Sequence, residues 1–194
     1  MPVWTVPITL LLLACARQEP PHVPVELPEY FPAPSFTATT AEGRPFSSEE
    51  LQGSIYVVSF FFTSCTGPCP IMNSRLSVLH SIFAEEPSVR FVSVTVDPQR
   101  DTLQVLKYYA ERYGAKPGRW DFLWMRPDSV EWLATKGFRV PASVSNPDLH
   151  STRLILVDHH GMVRGFFSGV DESGHKQLEA AIRQLLTKMK EQGT

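Results

Sequence analysis

The stretch Ile55 to Phe62, IYVVSFFF, is a nearly unbroken run of β-branched and aromatic residues. A strand with one wet face alternates apolar and polar, so a run like this belongs in the middle of a sheet covered on both sides, as parallel strands are. Just beyond it stands Cys65-Thr66-Gly67-Pro68-Cys69-Pro70. Pro70 suits the first turn of a helix, and Met72, Leu76, Leu79 and Phe83 recur at a period near 3.6, which predicts a helix of about four turns. Two thiols therefore stand where a buried strand hands the chain to a helix.

The remaining elements follow the same logic. Ser35 to Phe46 alternates around Ala41-Glu42-Gly43-Arg44, a hairpin signal, and Ser47-Ser48-Glu49-Glu50 offers a capping box to one short helical turn. Val89 to Val96 reads as a second strand. Asp101 is placed to cap a helix carrying Leu103, Leu106, Ala110 and Tyr113 that stops at Gly114. A short strand near Phe122–Met125 leads through Pro127-Asp128 into a helix ending at Gly137. Arg153–Asp158 and Met162–Phe167 form a hairpin about His159-His160-Gly161, and an amphipathic helix covers roughly 173–190. That order predicts an α/β fold: a mostly parallel sheet whose final hairpin adds antiparallel strands, flanked by helices and preceded by an N-terminal hairpin. With cysteines at the first long strand–helix junction, the pattern is thioredoxin-like. A flavodoxin-like arrangement lacks its Gly-rich phosphate loop here.

Residues 1–14 are almost purely apolar and end in Leu12-Leu13-Ala14-Cys15. They are too few to span a bilayer, which takes ~20 helical residues. The segment reads as a signal peptide, and Leu-Leu-Ala-Cys looks like a bacterial lipobox in which Cys15 becomes the lipidated first residue. No Lys or Arg precedes the apolar run, so a short uncleaved anchor or a misplaced start codon are the alternatives. Residues 16–34 hold six prolines, which favours an extended polyproline spacer over a folded unit. The organisation expected is thus a signal peptide over 1–14, a lipid-anchored tether over 15–34 and one domain over 35–194, facing the periplasm or another extracytoplasmic space of a bacterial cell envelope. With 18 Lys and Arg against 20 Asp and Glu there is no basic face for a phosphate backbone, which argues against nucleic acid as a partner.

Three cysteines cannot all pair within one chain, and lipidation of Cys15 leaves Cys65 and Cys69 as an even pair. The positive end of a helix lowers a thiol's pKa, favouring disulfide exchange or metal ligation. If the helix extended back through both, the sulfurs would lie at i and i+4 on one face. Two thiolates suit Cu(I), Zn or disulfide chemistry, and a stable metal site wants a third ligand. A structural disulfide is the plain alternative, though so short a loop constrains the unfolded chain little. Among the histidines, His22 lies in the tether, His80 mid-helix, His175 at the start of the last helix, and His159 and His160 in a tight turn where solvated imidazoles are expected. His150 directly precedes a central strand, where a thioredoxin-like fold passes beside its cysteines; by position it is either a ligand or a surface loop histidine.

Taken together, residues 33–190 resemble the Sco/SenC family of membrane-tethered copper chaperones. The resemblance rests on the hairpin with Leu51-Gln52-Gly53, the strand Val57–Phe62, Cys65-x-x-x-Cys69-Pro70, Asp97-Pro98-Gln99-Arg100-Asp101-Thr102, His150-Ser151, and Asp158-His-His-Gly161. It implies that Cys65, Cys69 and His150 bind copper as Cu(I) or Cu(II), and that the chain serves the dinuclear copper site of the copper-bearing subunit of cytochrome c oxidase, by delivering metal or reducing its cysteines. Other copper chaperones are further possible partners. Two departures stand out: family members usually carry Pro directly after the first cysteine, where this chain has Thr66 and shifts its proline to Pro68, and they more often use a transmembrane anchor. A thiol–disulfide oxidoreductase using Cys65 and Cys69 without metal is the competing reading. A peroxidase would need a lone buried cysteine with a positioned Arg, which is not displayed.

Overall fold

A computed structural model of the chain describes Met1 and residues 27–192. Among these residues the elements are β1 (Thr37–Thr40), β2 (Pro45–Ser47), β3 (Ile55–Phe61), α1 (Pro68–Ile82), β4 (Val89–Thr95), α2 (Leu103–Arg112), β5 (Trp120–Trp124), α3 (Pro127–Trp132), β6 (Arg153–Val157), β7 (Val163–Ser168) and α4 (Glu172–Gln192). No described helix is long and apolar enough to cross a membrane. Cys15 and His22 lie outside the described residues.

The strands form one mixed sheet in the order β2-β1-β5-β4-β3-β6-β7. All seven residues of β3 are buried, as its composition requires, and it pairs in parallel with β4 from Ile55↔Val89 to Phe61↔Thr95. Parallel pairing is confined to β3–β4 and β4–β5. β1 joins β5, β6 joins β3 and β7 joins β6, all antiparallel, so the sheet is less parallel than the β/α alternation predicts. α1 and α2 are the crossovers between neighbouring parallel strands, whereas the chain after α3 enters β6 from the end at which β3 finishes and so runs antiparallel to it.

The short turn Ser48–Leu51 carries the expected capping box, with Ser47 Oγ accepting from the Glu49 amide and Glu50 accepting from the Ser47 amide. After α3 the chain makes one wider turn over Leu133–Gly137, closed by the Phe138 amide on the Leu133 carbonyl. Gly137 is needed there because a Cβ would meet Pro34 at 2.9 Å.

Residues 27–34, within the stretch expected to act as tether, lie along the outer edge of β7. The Tyr30 amide donates to Val163, Val163 donates to Phe31, and Ala33 donates to Gly161. Arg164 donates to the Leu27 and Pro28 carbonyls, and the Arg139 guanidinium stacks 3.9 Å from the Phe31 ring centroid. Pro32 faces outward between paired residues, where a missing N–H costs no ladder bond. This strap closes an edge that would otherwise offer unpaired backbone groups.

Candidate metal centre

β3 ends at Phe61, and the chain turns through Thr63 and Ser64 into Cys65, whose amide reaches back to the Phe62 carbonyl at 3.3 Å. Helix α1 begins only at Pro68, so Cys65 lies in the loop ahead of it and Cys69 in its first turn; the two are not on one helical face. Pro68 and Pro70 occupy first-turn positions whose amides have no intrahelical acceptor in any case.

Cys69 is wholly buried, and Cys65 is 9 % exposed. Neither is in a disulfide. The helix terminus was expected to lower the thiol pKa, but at Cys69 burial dominates and pushes it up. A hydrogen bond and charge from the Cys65 thiol and the negative charge of Asp101 act in the same direction, while a backbone bond at Phe62 opposes them. Removing a residue from water outweighs a half-charge at a helix end.

Register brings in the third group. β6 runs antiparallel to β3 with Val58↔Ile155, so the residues just before Arg153 arrive at the end of β3 from which the cysteines emerge. His150 Nε2 lies 3.2 Å from Cys69 Sγ, across 81 positions of sequence. Its other nitrogen, Nδ1, lies 2.8 Å from the Pro147 carbonyl. A carbonyl can only accept, so Nδ1 carries the hydrogen and Nε2 presents a lone pair to the thiol. The Phe62 ring meets the imidazole edge to face at 5.3 Å. Burial lowers the His150 pKa, against smaller opposing effects of the Pro147 carbonyl and Asp148, and so keeps the ring neutral as a ligand must be. Among the described residues no three His, Cys, Asp or Glu side chains already converge on one metal position. Cys69 and His150 form a close pair, and the Cys65 thiol is hydrogen-bonded to Cys69.

The other candidates fall elsewhere. His80 is buried in the last turn of α1 against Phe91 and Trp120. His159 and His160 stack on each other at 3.9 Å in the turn at the far end of β6. His175 lines a shallow depression with Pro70, Ile71 and Arg75.

Asp101 differs from its expected role. Thr102 caps α2 by accepting from the Val105 amide, and Asp101 turns inward, 1 % exposed. Its Oδ2 accepts from the Thr63 amide at 3.1 Å and from the Thr95 hydroxyl, and its Oδ1 from the Thr63 hydroxyl. The Asp101-Thr102 dipeptide offers two capping candidates, and nothing local decides between them. Phe62 and the Pro147 carbonyl were also missed, since their roles arise only once β6 lies beside β3.

A mixed sheet with two thiols at the strand–helix junction and an imidazole brought beside them by the segment entering the neighbouring antiparallel strand is a thioredoxin-like arrangement. The SCO1/SenC family model matches residues 28–187, and the chain belongs to that family. It is 34% identical over 152 residues to a Stutzerimonas stutzeri protein provisionally described as copper-binding, covering 72% of this chain and 70% of the relative. It superposes on a SCO1/SenC family lipoprotein from Bacillus anthracis with TM-score 0.73 at 25% identity, covering 80% of this chain and 95% of the other. BsSco, a Sco family cytochrome c oxidase assembly protein studied for a disulfide switch, gives TM-score 0.72 at 28% identity, covering 84% and 98%.

Proposed function

We propose that this chain is a membrane-anchored copper carrier that holds copper through Cys65, Cys69 and His150 and serves the copper-bearing subunit of cytochrome c oxidase. The observation that carries the reading is the 3.2 Å approach of His150 Nε2 to Cys69 Sγ, with Nδ1–H already spent on Pro147. Two sulfurs and one neutral imidazole nitrogen are a soft donor set, which selects Cu(I) over harder divalent ions. Loading releases the thiol protons to solvent, and the orientation of the ring needs no change because Pro147 holds its far side. An added oxygen ligand would complete the set for Cu(II). Cargo leaves by stepwise exchange, one target thiolate replacing one donor of this chain at a time, so Cys65, the less deeply buried of the two thiols, is the natural first to let go. Membership of the SCO1/SenC family, the copper-binding description of the S. stutzeri relative and the oxidase-assembly role of BsSco support this reading.

Anchoring through a lipid on Cys15, with the domain facing the periplasm or another extracytoplasmic space, accords with the lipoprotein among the structural relatives. Mass spectrometry of membrane-extracted protein checks it: a mature chain starting at Cys15 with an acyl-glyceryl mass is expected, and a chain still starting at Met1 contradicts it.

Both thiols are free and adjacent, which favours a second role in reducing target cysteines. The Cys65 thiolate would attack a target disulfide, expelling one target thiolate. Cys69 would then displace the other, leaving a Cys65–Cys69 disulfide and a reduced target with two electrons transferred. Competition titration with a Cu(I) chelator on the wild type and on Cys65→Ala, Cys69→Ala and His150→Ala tests the carrier: one copper per wild-type chain and weakened binding in each variant are expected. A variant with undiminished affinity removes its residue from the donor set.

A further inference from the structure

Asp101 is a buried carboxylate with no cation beside it: the nearby Arg100 guanidinium pairs with Asp97 at 3.1 Å instead. Burying an unpaired carboxylate is costly and is offset only by hydrogen bonds made to it. Here all three donors are known, and two of them belong to Thr63. The third, the Thr95 hydroxyl, stands at the end of β4 and itself accepts from the Asp97 amide. The helix-capping task that would explain an Asp at this point is performed by Thr102. Both carboxylate oxygens are engaged in these hydrogen bonds.

We propose that Asp101 is a positioning residue for Cys65: its carboxylate clamps the backbone and hydroxyl of Thr63, two residues before Cys65, to the end of β4 and the start of α2, and thereby sets the point from which the Cys65 arm reaches Cys69. Cys69 needs no such device, being fixed in the first turn of α1 and against His150. Apart from its thiol contact with Cys69, Cys65 is held by one long backbone bond, to the Phe62 carbonyl at 3.3 Å, and the loop to Pro68 is otherwise irregular. Without the clamp, the Cys65 sulfur samples more positions, and closure onto Cys69, by disulfide or through copper, loses its preorganisation. The copper part of this inference rests on the carrier reading; the disulfide part does not.

The test uses the full chain and two readouts. The first is metal-free: the equilibrium constant for the Cys65–Cys69 dithiol plus oxidised glutathione giving the protein disulfide plus two reduced glutathiones, measured by trapping free thiols. The second is Cu(I) affinity. Asp101→Ala should lower both by about tenfold or more, in the range of lost outer-sphere support for a ligand. Thr63→Val, which keeps the amide bond and loses the hydroxyl, should fall between Asp101→Ala and wild type. Asp101→Asn can accept from the Thr63 amide and donate to its hydroxyl oxygen, and should stay within about threefold of wild type. Leu106→Ala, at a buried α2 position whose side chain makes none of the clamp's hydrogen bonds, lowers thermal stability and should leave the glutathione equilibrium unchanged. The proposal is overturned if Asp101→Ala and Thr63→Val match wild type, if Asp101→Asn falls as far as Asp101→Ala, or if Leu106→Ala shifts the equilibrium equally. Should the wild type take up no copper, the carrier reading fails while the glutathione equilibrium still decides the role of Asp101.

Discussion

The sulfur of Cys69 lies 3.2 Å from Nε2 of His150, although 81 positions of sequence separate them. The contact exists because β6 enters the sheet antiparallel beside β3, so the residue ahead of one strand meets the residue beyond the other. Pro147 settles which nitrogen faces the thiol, and Phe62 fixes the plane of the ring.

Copper binding and thiol exchange should therefore separate at His150. His150→Ala is expected to weaken Cu(I) binding by ~100-fold, at the upper end for loss of a metal-supporting group. Reduction of a model disulfide, which needs only the two thiols, should stay within about threefold of wild type. Parallel chelator-competition and stopped-flow assays check this; equal losses in both would tie the imidazole to the thiol chemistry itself.

The two cysteines should differ in reactivity. Only a thiolate alkylates, and Cys69 is wholly buried with its pKa pushed up, whereas Cys65 is 9 % exposed. Iodoacetamide at neutral pH should modify Cys65 at least ~10-fold faster than Cys69. Peptide mass spectrometry over a time course reads the order, and labelling of Cys69 first would contradict the geometry.

The pH dependence of stability follows from buried groups at both ends of α1. His80 is enclosed by Phe91 and Trp120, neither ring nitrogen has a partner, and burial, then Arg119 and Lys116, lower its pKa from 6.5. The unfolded chain thus takes up this proton before the fold does. The stability concerned is complete above pH 6.5 and is lost as pH falls from there towards the folded value, with His150 acting in the same sense. Cys69 works at the alkaline end. Its raised pKa lets the unfolded thiol ionise first, so metal-free stability declines as pH rises past 9.0. Urea midpoints measured across pH should fall on both sides of neutrality. His80→Phe should flatten the acid side and Cys69→Ala the alkaline side; an unchanged slope in either variant would exclude that residue as the source.

Much of this was legible in the chain because it is local. The run of β3, the capping box at Ser47, the antiparallel terminal hairpin and the thiols at a strand–helix junction all follow from spacing and residue type. Pairings between distant segments were not. Six prolines in 16–34 read as a spacer, yet residues 27–34 pack on β7, because Arg164 and Arg139 supply partners from far along the chain. Asp101 reads as a helix cap until Thr63 and Thr95 are brought beside it. The low pKa expected of a thiol at a helix end gave way to burial, which no linear motif reveals.

The strap and the terminal hairpin share one buried ion pair. Asp158 is 1 % and Arg164 11 % exposed; they meet at 2.7 Å, while Asp158 also accepts from the His160 and Met162 amides. Asp158→Ala leaves a cation and two amides without their acceptor and should cost about 3–5 kcal/mol. Asp158→Asn with Arg164→Met should cost clearly less than the two single changes summed. Urea denaturation of the set decides; additive losses would mean that the two side chains act independently.

If Cys65, Cys69 and His150 together hold one copper ion, X-ray absorption at the copper edge on the full chain loaded with one Cu(I) should show an inner shell of two sulfurs and one imidazole nitrogen. A shell of sulfur alone, or one with a single sulfur, would contradict that donor set.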